Sequence, residues 1–185
     1  MQNNQSLEQY FLSLPYFDYE RAAPWNLIGA TLNDIELINS CFKEILVFDV
    51  DFSNTNLTGA DFREADLSEV DFCNANLTDA NFENCFIKRC NFTGANLSTA
   101  NFTNSKIFFG TLAKANLSKT NLTGAKIVSV ELENANISDA ITKDTIFKQL
   151  KSGPELGLSQ EVKDAIAEYK KIMTIINPPE RWEKY

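Results

Sequence analysis

Between Leu27 and Ile137 an apolar residue occupies every fifth position for 23 consecutive pentads, with no insertion or deletion. A helix repeats its apolar face every 3.6 residues and a strand every two, so neither produces this spacing. A fixed short period in a chain of ordinary length signals a solenoid, in which each unit buries its apolar residue only by stacking on its neighbours. Burying one Leu or Phe gains about 1.5–3 kcal/mol, whereas fixing the backbone of five residues costs about 5–10 kcal/mol. A lone pentad is therefore unstable, and the two terminal coils need covers.

The pentad has a finer grammar. Two residues before each centre sits a small side chain, as at Ala60, Ala75, Ala95 and Ala115. The position just before the centre is usually Asn or Asp, and Ser or Thr commonly follows the centre, as in Asn76-Leu77-Thr78. This A-[DN]-[LF]-[ST]-x pattern resembles the pentapeptide-repeat family over roughly three fifths of the chain. The resemblance implies an all-β solenoid: a right-handed quadrilateral β-helix of about six coils, four pentads per coil, with helical terminal caps. On that basis 1–25 is an N-terminal cap segment, 26–141 the β-helix, and 142–185 a C-terminal helical cap and tail.

Applying the family's 20-residue coil sorts the centres into four columns. Face one carries Leu27, Val47, Leu67, Ile87, Ile107 and Ile127; face two carries Leu32, Phe52, Phe72, Phe92, Leu112 and Leu132. Face three carries Leu37, Leu57, Leu77, Leu97, Leu117 and Ile137, and face four Phe42, Phe62, Phe82, Phe102 and Leu122. Phenylalanine thus fills two opposite walls. Coils about 4.8 Å apart would set ring over ring, in a core too narrow for a ligand cavity. Gly59, Gly94 and Gly124 fall in Thr-Gly-Ala corners, where a permissive backbone helps the turn.

Both ends leave the repeat. Ser6 can cap a helix in which Leu7, Tyr10, Phe11 and Leu14 share a face and which Pro15 ends. Residues 143–151 read as a short helix stopped by Gly153-Pro154. Ser159 then caps a helix from Gln160 to Ile176, about 25 Å long, which Pro178-Pro179 ends. Its apolar face, with Val162, Ile166, Tyr169 and Met173, either packs on the solenoid or forms a homodimer contact.

Charge and chemistry narrow the function. The net charge of −8 argues against direct binding to nucleic acid or an anionic membrane. No 18-residue apolar run and no secretory leader is visible, so a cytoplasmic location is expected. The chain has no histidine, and no catalytic constellation or phosphate loop is recognisable, so it reads as a non-enzyme without cofactor or metal. Cys41, Cys73, Cys85 and Cys90 show no metal-binding spacing and read as reduced thiols, the last two as buried fillers. Carboxylates such as Asp51 and Asp71 could stack one coil apart and bind a cation, and a solvated or backbone-bonded role is the simpler reading.

Two surface features depart from the repeat. Between Lys43 and Glu83 lie ten acids, including Asp49, Asp51, Asp61, Glu64, Asp66, Glu69, Asp71, Asp79 and Glu83, against two cations. From Asn84 to Val130 there are six cations and no acid. Some pentapeptide-repeat proteins mimic DNA to bind type II topoisomerases such as DNA gyrase, which offers an alternative function. DNA, however, carries a charge every ~1.7 Å along its axis, and this acidic band spans only about 10 Å by the coil rise. The second feature is a set of apolar residues flanking face-one centres: Leu46, Phe48, Phe86, Phe108, Phe109 and Val128, with Ile28. Face three instead carries Asn56, Asn76, Asn96, Asn116 and Asn136 beside Thr58, Thr78, Ser98, Ser118 and Ser138. An apolar stripe opposite a polar wall marks either a protein-partner surface or the seat of the C-terminal helix. The favoured function is a non-catalytic rod presenting this surface to a protein partner.

Overall fold

A computed structural model describes residues 26–148 and 150. Seven strands of three residues follow one another at intervals of 20: β1 Asn26–Ile28, β2 Leu46–Phe48, β3 Asp66–Ser68, β4 Phe86–Lys88, β5 Lys106–Phe108, β6 Lys126–Val128 and β7 Ile146–Lys148. Each pairs in parallel with the next, in the order β1-β2-β3-β4-β5-β6-β7, so Val47 sits over Leu27 and Leu67 over Val47. The other three sides are held by single parallel bridges at the same 20-residue offset, such as Asp51↔Asp71, Asn56↔Asn76 and Asp61↔Asn81. The result is a four-sided β-solenoid of about six turns.

True strands form on one side only, and on the other three sides side chains compete for backbone N–H groups. On the other three sides the Asn or Asp before the centre accepts the backbone N–H two residues on. Asp51 takes that of Ser53 at 2.8 Å, Asp71 that of Cys73 at 2.8 Å, and Asn101 that of Thr103 at 3.1 Å. A side chain that captures this N–H takes it from the ladder. On face one the position holds Leu46, Phe86, Lys106 and Lys126, which cannot accept, and also Asn26 and Asp66; Asp66 accepts from the Ser68 hydroxyl rather than from its N–H, and the ladder extends to three residues throughout. The Asn side chains do a second job: Asn76, Asn96, Asn116 and Asn136 each donate to the Asn one coil below, at 3.1–3.4 Å.

At the corners the residue two after each centre has positive φ, from +55° to +69° across 24 positions. On three sides the corner closes with a bond from the next N–H back to the centre carbonyl, as from Ala60 to Leu57 at 3.0 Å and Ala75 to Phe72 at 3.0 Å. These are turns whose third residue must be left-handed, as type II turns require.

The interior is the expected aromatic ladder. Phe42, Phe62, Phe82 and Phe102 stack at 4.7, 4.9 and 4.6 Å within 9° of parallel. Phe52, Phe72 and Phe92 stack at 5.3 and 4.8 Å on the opposite wall. The two columns meet edge to face at 5.5–6.5 Å, both of them arrangements that aromatic rings favour. Small inward polar groups reach down one coil: Thr55 donates to the Leu32 carbonyl at 2.6 Å and Thr120 to that of Leu97 at 2.8 Å. Ser105 occupies the equivalent place fully buried, and its hydroxyl has no partner.

One expectation is corrected. The short helix expected over 143–151 is absent from its described part, because Ile146–Lys148 is β7 and pairs with β6. Phe147 is buried over Ile127, and that packing extends the repeat past the polar centre Thr142. The helices expected within 1–25 and at Gln160–Ile176, with Val162, Ile166, Tyr169 and Met173, lie outside the described residues.

Two substitutions probe this packing. Phe82→Ala removes a ring that touches four others and is expected to cost about 3–5 kcal/mol, read by denaturant unfolding. Ser105→Ala deletes an unpartnered buried hydroxyl and is expected to raise stability by about 1 kcal/mol, seen as a higher melting temperature.

Candidate functional site

The outer surface of face one is the part of the rod whose side chains are least committed to holding it together. Strand geometry points the residues on either side of each centre outward, and there the ladder is made by backbone alone. One outer column runs Asn26, Leu46, Asp66, Phe86, Lys106, Lys126, Ile146 and the other Ile28, Phe48, Ser68, Lys88, Phe108, Val128, Lys148. Ile28, Phe48 and Phe86 are exposed, whereas Leu46, Phe108 and Val128 are half-buried. Of the seven apolar residues that depart from the repeat, six therefore lie on this sheet and Phe109 lies beside it.

Phe86, Phe108 and Phe109 form a continuous aromatic group. The Phe86 and Phe108 rings lie 5.6 Å apart and those of Phe108 and Phe109 lie 6.3 Å apart, all tilted. Phe109 is the unusual member. It sits at a corner with φ of +59°, where a bulky side chain is unfavourable, and it is 60% exposed. Asn, Asp, Gly or another polar residue fills every other described corner. Phe109 thus bears backbone strain without the compensation of burial.

Beside it the wall is notched. Gly110 takes a place where Cys90 and Val130 stand in the neighbouring coils, and a Cβ there would lie 2.5 Å from the Cys90 carbonyl oxygen. The notch is an open cleft of about 520 Å³ lined by Arg89, Cys90, Asn91, Phe109, Thr111, Ser129 and Glu131 with Gly110. Burial pushes the Cys90 thiol up to about 12, and Cys85 likewise, so neither supplies a nucleophile. Cys73 is raised as well, by burial and then by Asp71 and Asp51.

Cations surround the aromatic group. Lys88, Arg89, Lys106 and Lys126 lie on or beside β4, β5 and β6, and Arg89 meets Glu69 of the coil below at 3.0 Å. The sequence separates these residues into a basic half but does not by itself show them beside the phenylalanines; the 20-residue sort places Lys106 and Lys126 in line with Phe86. Gly110 and its notch carry no sequence signal beyond a glycine where Ala, Val or Cys is usual.

The nine acids of the candidate acidic surface do not share a face. Asp49, Asp66 and Glu69 lie on or next to face one, Asp51 and Asp71 on face two, Asp79 at a face-three corner, and Asp61, Glu64 and Glu83 on face four. They wrap the rod as a belt. Asp61 is held below the usual carboxylate range chiefly by hydrogen bonding from Arg63, 2.6 Å away. The stability from that pair is present above the ordinary carboxylate range and lost as pH falls through the lowered value. Asp51 and Asp71 accept backbone N–H groups, and no group of three or more His, Cys, Asp or Glu among the described residues could hold a metal. No helix among the described residues is long and apolar enough to cross a membrane.

The family model for pentapeptide repeats matches eight copies, over residues 48–84, 75–107 and 111–141. The chain belongs to the pentapeptide-repeat family. Solved relatives of this pentapeptide-repeat chain include a pentapeptide repeat protein from the thylakoid lumen of Arabidopsis thaliana. It is 24% identical, with 61% of this chain and 77% of that one covered and a TM-score of 0.43. QnrB1, a plasmid-mediated fluoroquinolone resistance protein, is 14% identical, with 78% and 95% covered and a TM-score of 0.40. Rfr23 of the cyanobacterium Cyanothece 51142 is 19% identical, with 72% and 91% covered and a TM-score of 0.39. A search of curated protein sequences finds no match.

The strain at Phe109 is measurable. Phe109→Asn suits a left-handed corner and is expected to stabilise the fold by about 1 kcal/mol, despite removing a large apolar side chain. Alkylation at neutral pH is expected to label exposed Cys41 in the native protein and to spare Cys85 and Cys90 until unfolding, as read by intact mass.

Proposed function

We propose that this chain is a non-catalytic interaction protein whose rigid solenoid presents face one to a protein partner. The observation that carries the reading is Phe109, a bulky residue kept in a left-handed corner and exposed, continuous with Phe86 and Phe108. Strain of order 1–3 kcal/mol kept at an exposed aromatic is characteristic of binding sites. An aromatic cluster ringed by Lys and Arg also has the composition of an interface core and its rim. The work is placed in the cytoplasm, with no cofactor, no direct nucleic-acid contact and no membrane contact.

The alternative, a DNA-mimicking modulator of DNA gyrase, fits the surface less well. The acids encircle two coils and the next coils are basic, so no side of the rod offers the long negative track of a duplex. In a gyrase supercoiling assay the purified chain is expected neither to inhibit nor to protect the enzyme at micromolar concentration, and either effect would favour the mimic.

Affinity capture from the native cell, comparing wild type with Phe86→Ser/Phe109→Asn, tests the main reading. A band retained by wild type and lost by the double variant, whose fold is at least as stable, is expected. Equal capture by both would remove face one as the contact surface.

A further inference from the structure

Face one carries a charge sequence along the rod that is its own complement. Counting outward residues and the adjoining corner, β2 contributes −1 through Asp49 and β3 −2 through Asp66 and Glu69. β4 contributes +2 through Lys88 and Arg89, and β5 +1 through Lys106. Over β2 to β5 the two halves mirror each other in magnitude and oppose each other in sign, and beyond them β6 adds +1 through Lys126 against an uncharged β1.

We propose that the partner of face one is a second copy of this chain, docked antiparallel about a two-fold axis that runs along the strand direction between β3 and β4. This inference rests on the reading of face one as a protein-contact surface and specifies its occupant. A two-fold so placed reverses the rod but keeps each column opposite itself. It therefore sets β3 against β4 of the second copy, β2 against β5 and β1 against β6.

That register matches charge in the corner column and apolar side chains in the column beside it, while the third column sets Asp66 opposite Phe86 and Leu46 opposite Lys106. Glu69 faces Arg89 of the second copy, and because Glu69 and Arg89 already meet within one chain at 3.0 Å, the two pairs close into an alternating quartet. In the adjoining column Phe48 falls opposite Phe108 and Ile28 opposite Val128, so apolar meets apolar. Asp49 falls opposite Phe109, whose positive ring edge suits a carboxylate. Shifting the axis onto β4 would oppose +2 with +2, and shifting it onto β3 would oppose −2 with −2. A parallel face-to-face pairing would place every strand on itself. Antiparallel docking between β3 and β4 is the arrangement that avoids repulsion.

The strip from β1 to β6 is about 24 Å long by strand spacing, a contact smaller than the ~800 Å² per partner of a tight complex. Association in the micromolar range is expected, weakened by salt because charge sets its register.

Sedimentation equilibrium of the full chain from about 5 to about 500 µM tests the proposal. A concentration-dependent dimer is expected for wild type. Glu69→Lys alone and Arg89→Glu alone each set like charges against each other, and each is expected to weaken association at least about tenfold. An equimolar mixture of the two variants restores opposite charges at both contacts and is expected to recover a 1:1 heterodimer. The same two changes in one chain should recover a homodimer. Phe48→Ser, which alters no charge, should also dissociate the dimer, and melting curves verify that every variant is folded. A wild type that stays monomeric over the whole range overturns the proposal. So does a dimer indifferent to these charges, as a contact through the C-terminal segment would give, or a mixture that associates no better than its components. If wild type is monomeric yet Phe86→Ser/Phe109→Asn still loses a captured partner, the second copy is excluded while face one stands as a protein-contact surface. If neither effect is seen, both readings fall.

Discussion

From Gly29 to Asp144 every fifth residue must turn the backbone through the left-handed region, and the rest of the described structure depends on that requirement. The corners at φ of +55° to +69° set each leg at one pentad, four legs close one coil, and the coil length brings residue i over residue i−20. Left-handed φ is unfavourable for most L-residues and least so for Asn, Asp and Gly. Of the 20 non-glycine corners, 11 are Asn or Asp. Apart from Phe109, the remainder are charged or small polar residues, and each of these corner N–H groups bonds to the coil above, as from Glu64 to Glu83 at 3.0 Å. A single skipped residue would move every later centre off its column and turn an inward Phe toward water. The unbroken count of pentads is therefore a physical necessity of the stacked aromatic core.

The core was legible in the sequence because its grammar is one-dimensional. Spacing alone assigns Phe62 between Phe42 and Phe82, and the rings stack there at 4.7 and 4.9 Å. What spacing misses is where a pattern breaks but the stacking continues. Thr142 falls at a centre and Ile141 stands where Asn is usual, yet the ladder from β6 and the burial of Phe147 extend the solenoid to Lys148. Local pattern is a weaker determinant than a preformed edge that offers hydrogen bonds and an apolar floor to the next strand.

The surface was only half legible for a related reason. The apolar residues beside face-one centres stand out against the repeat, and they lie together on one sheet. The charges do not sort by sequence block: the acidic block becomes a belt around all four sides, and only Asp49, Asp66 and Glu69 belong beside face one. Gly110 looks like one more small inward residue, although the close approach of the Cys90 carbonyl makes the place narrower than its neighbours and opens a cleft beside Phe109. Such features arise from packing between coils, which a five-residue grammar does not describe.

The same hydrogen-bond logic that builds the rod also decides where it can carry information. On three sides the residue before the centre is recruited to satisfy backbone N–H groups and its counterparts above and below, as in the Asn76, Asn96, Asn116 column. Replacing those side chains would remove bonds the turns use. On face one the backbone ladder satisfies itself, so the outward positions can hold Phe, Lys or Asp at little cost to the fold. Phe109 goes one step further, holding an aromatic where the corner disfavours it. A repeat protein has few places in which sequence can vary without breaking register, and here those places are gathered on one flat sheet with acids below, cations above and phenylalanines in both halves.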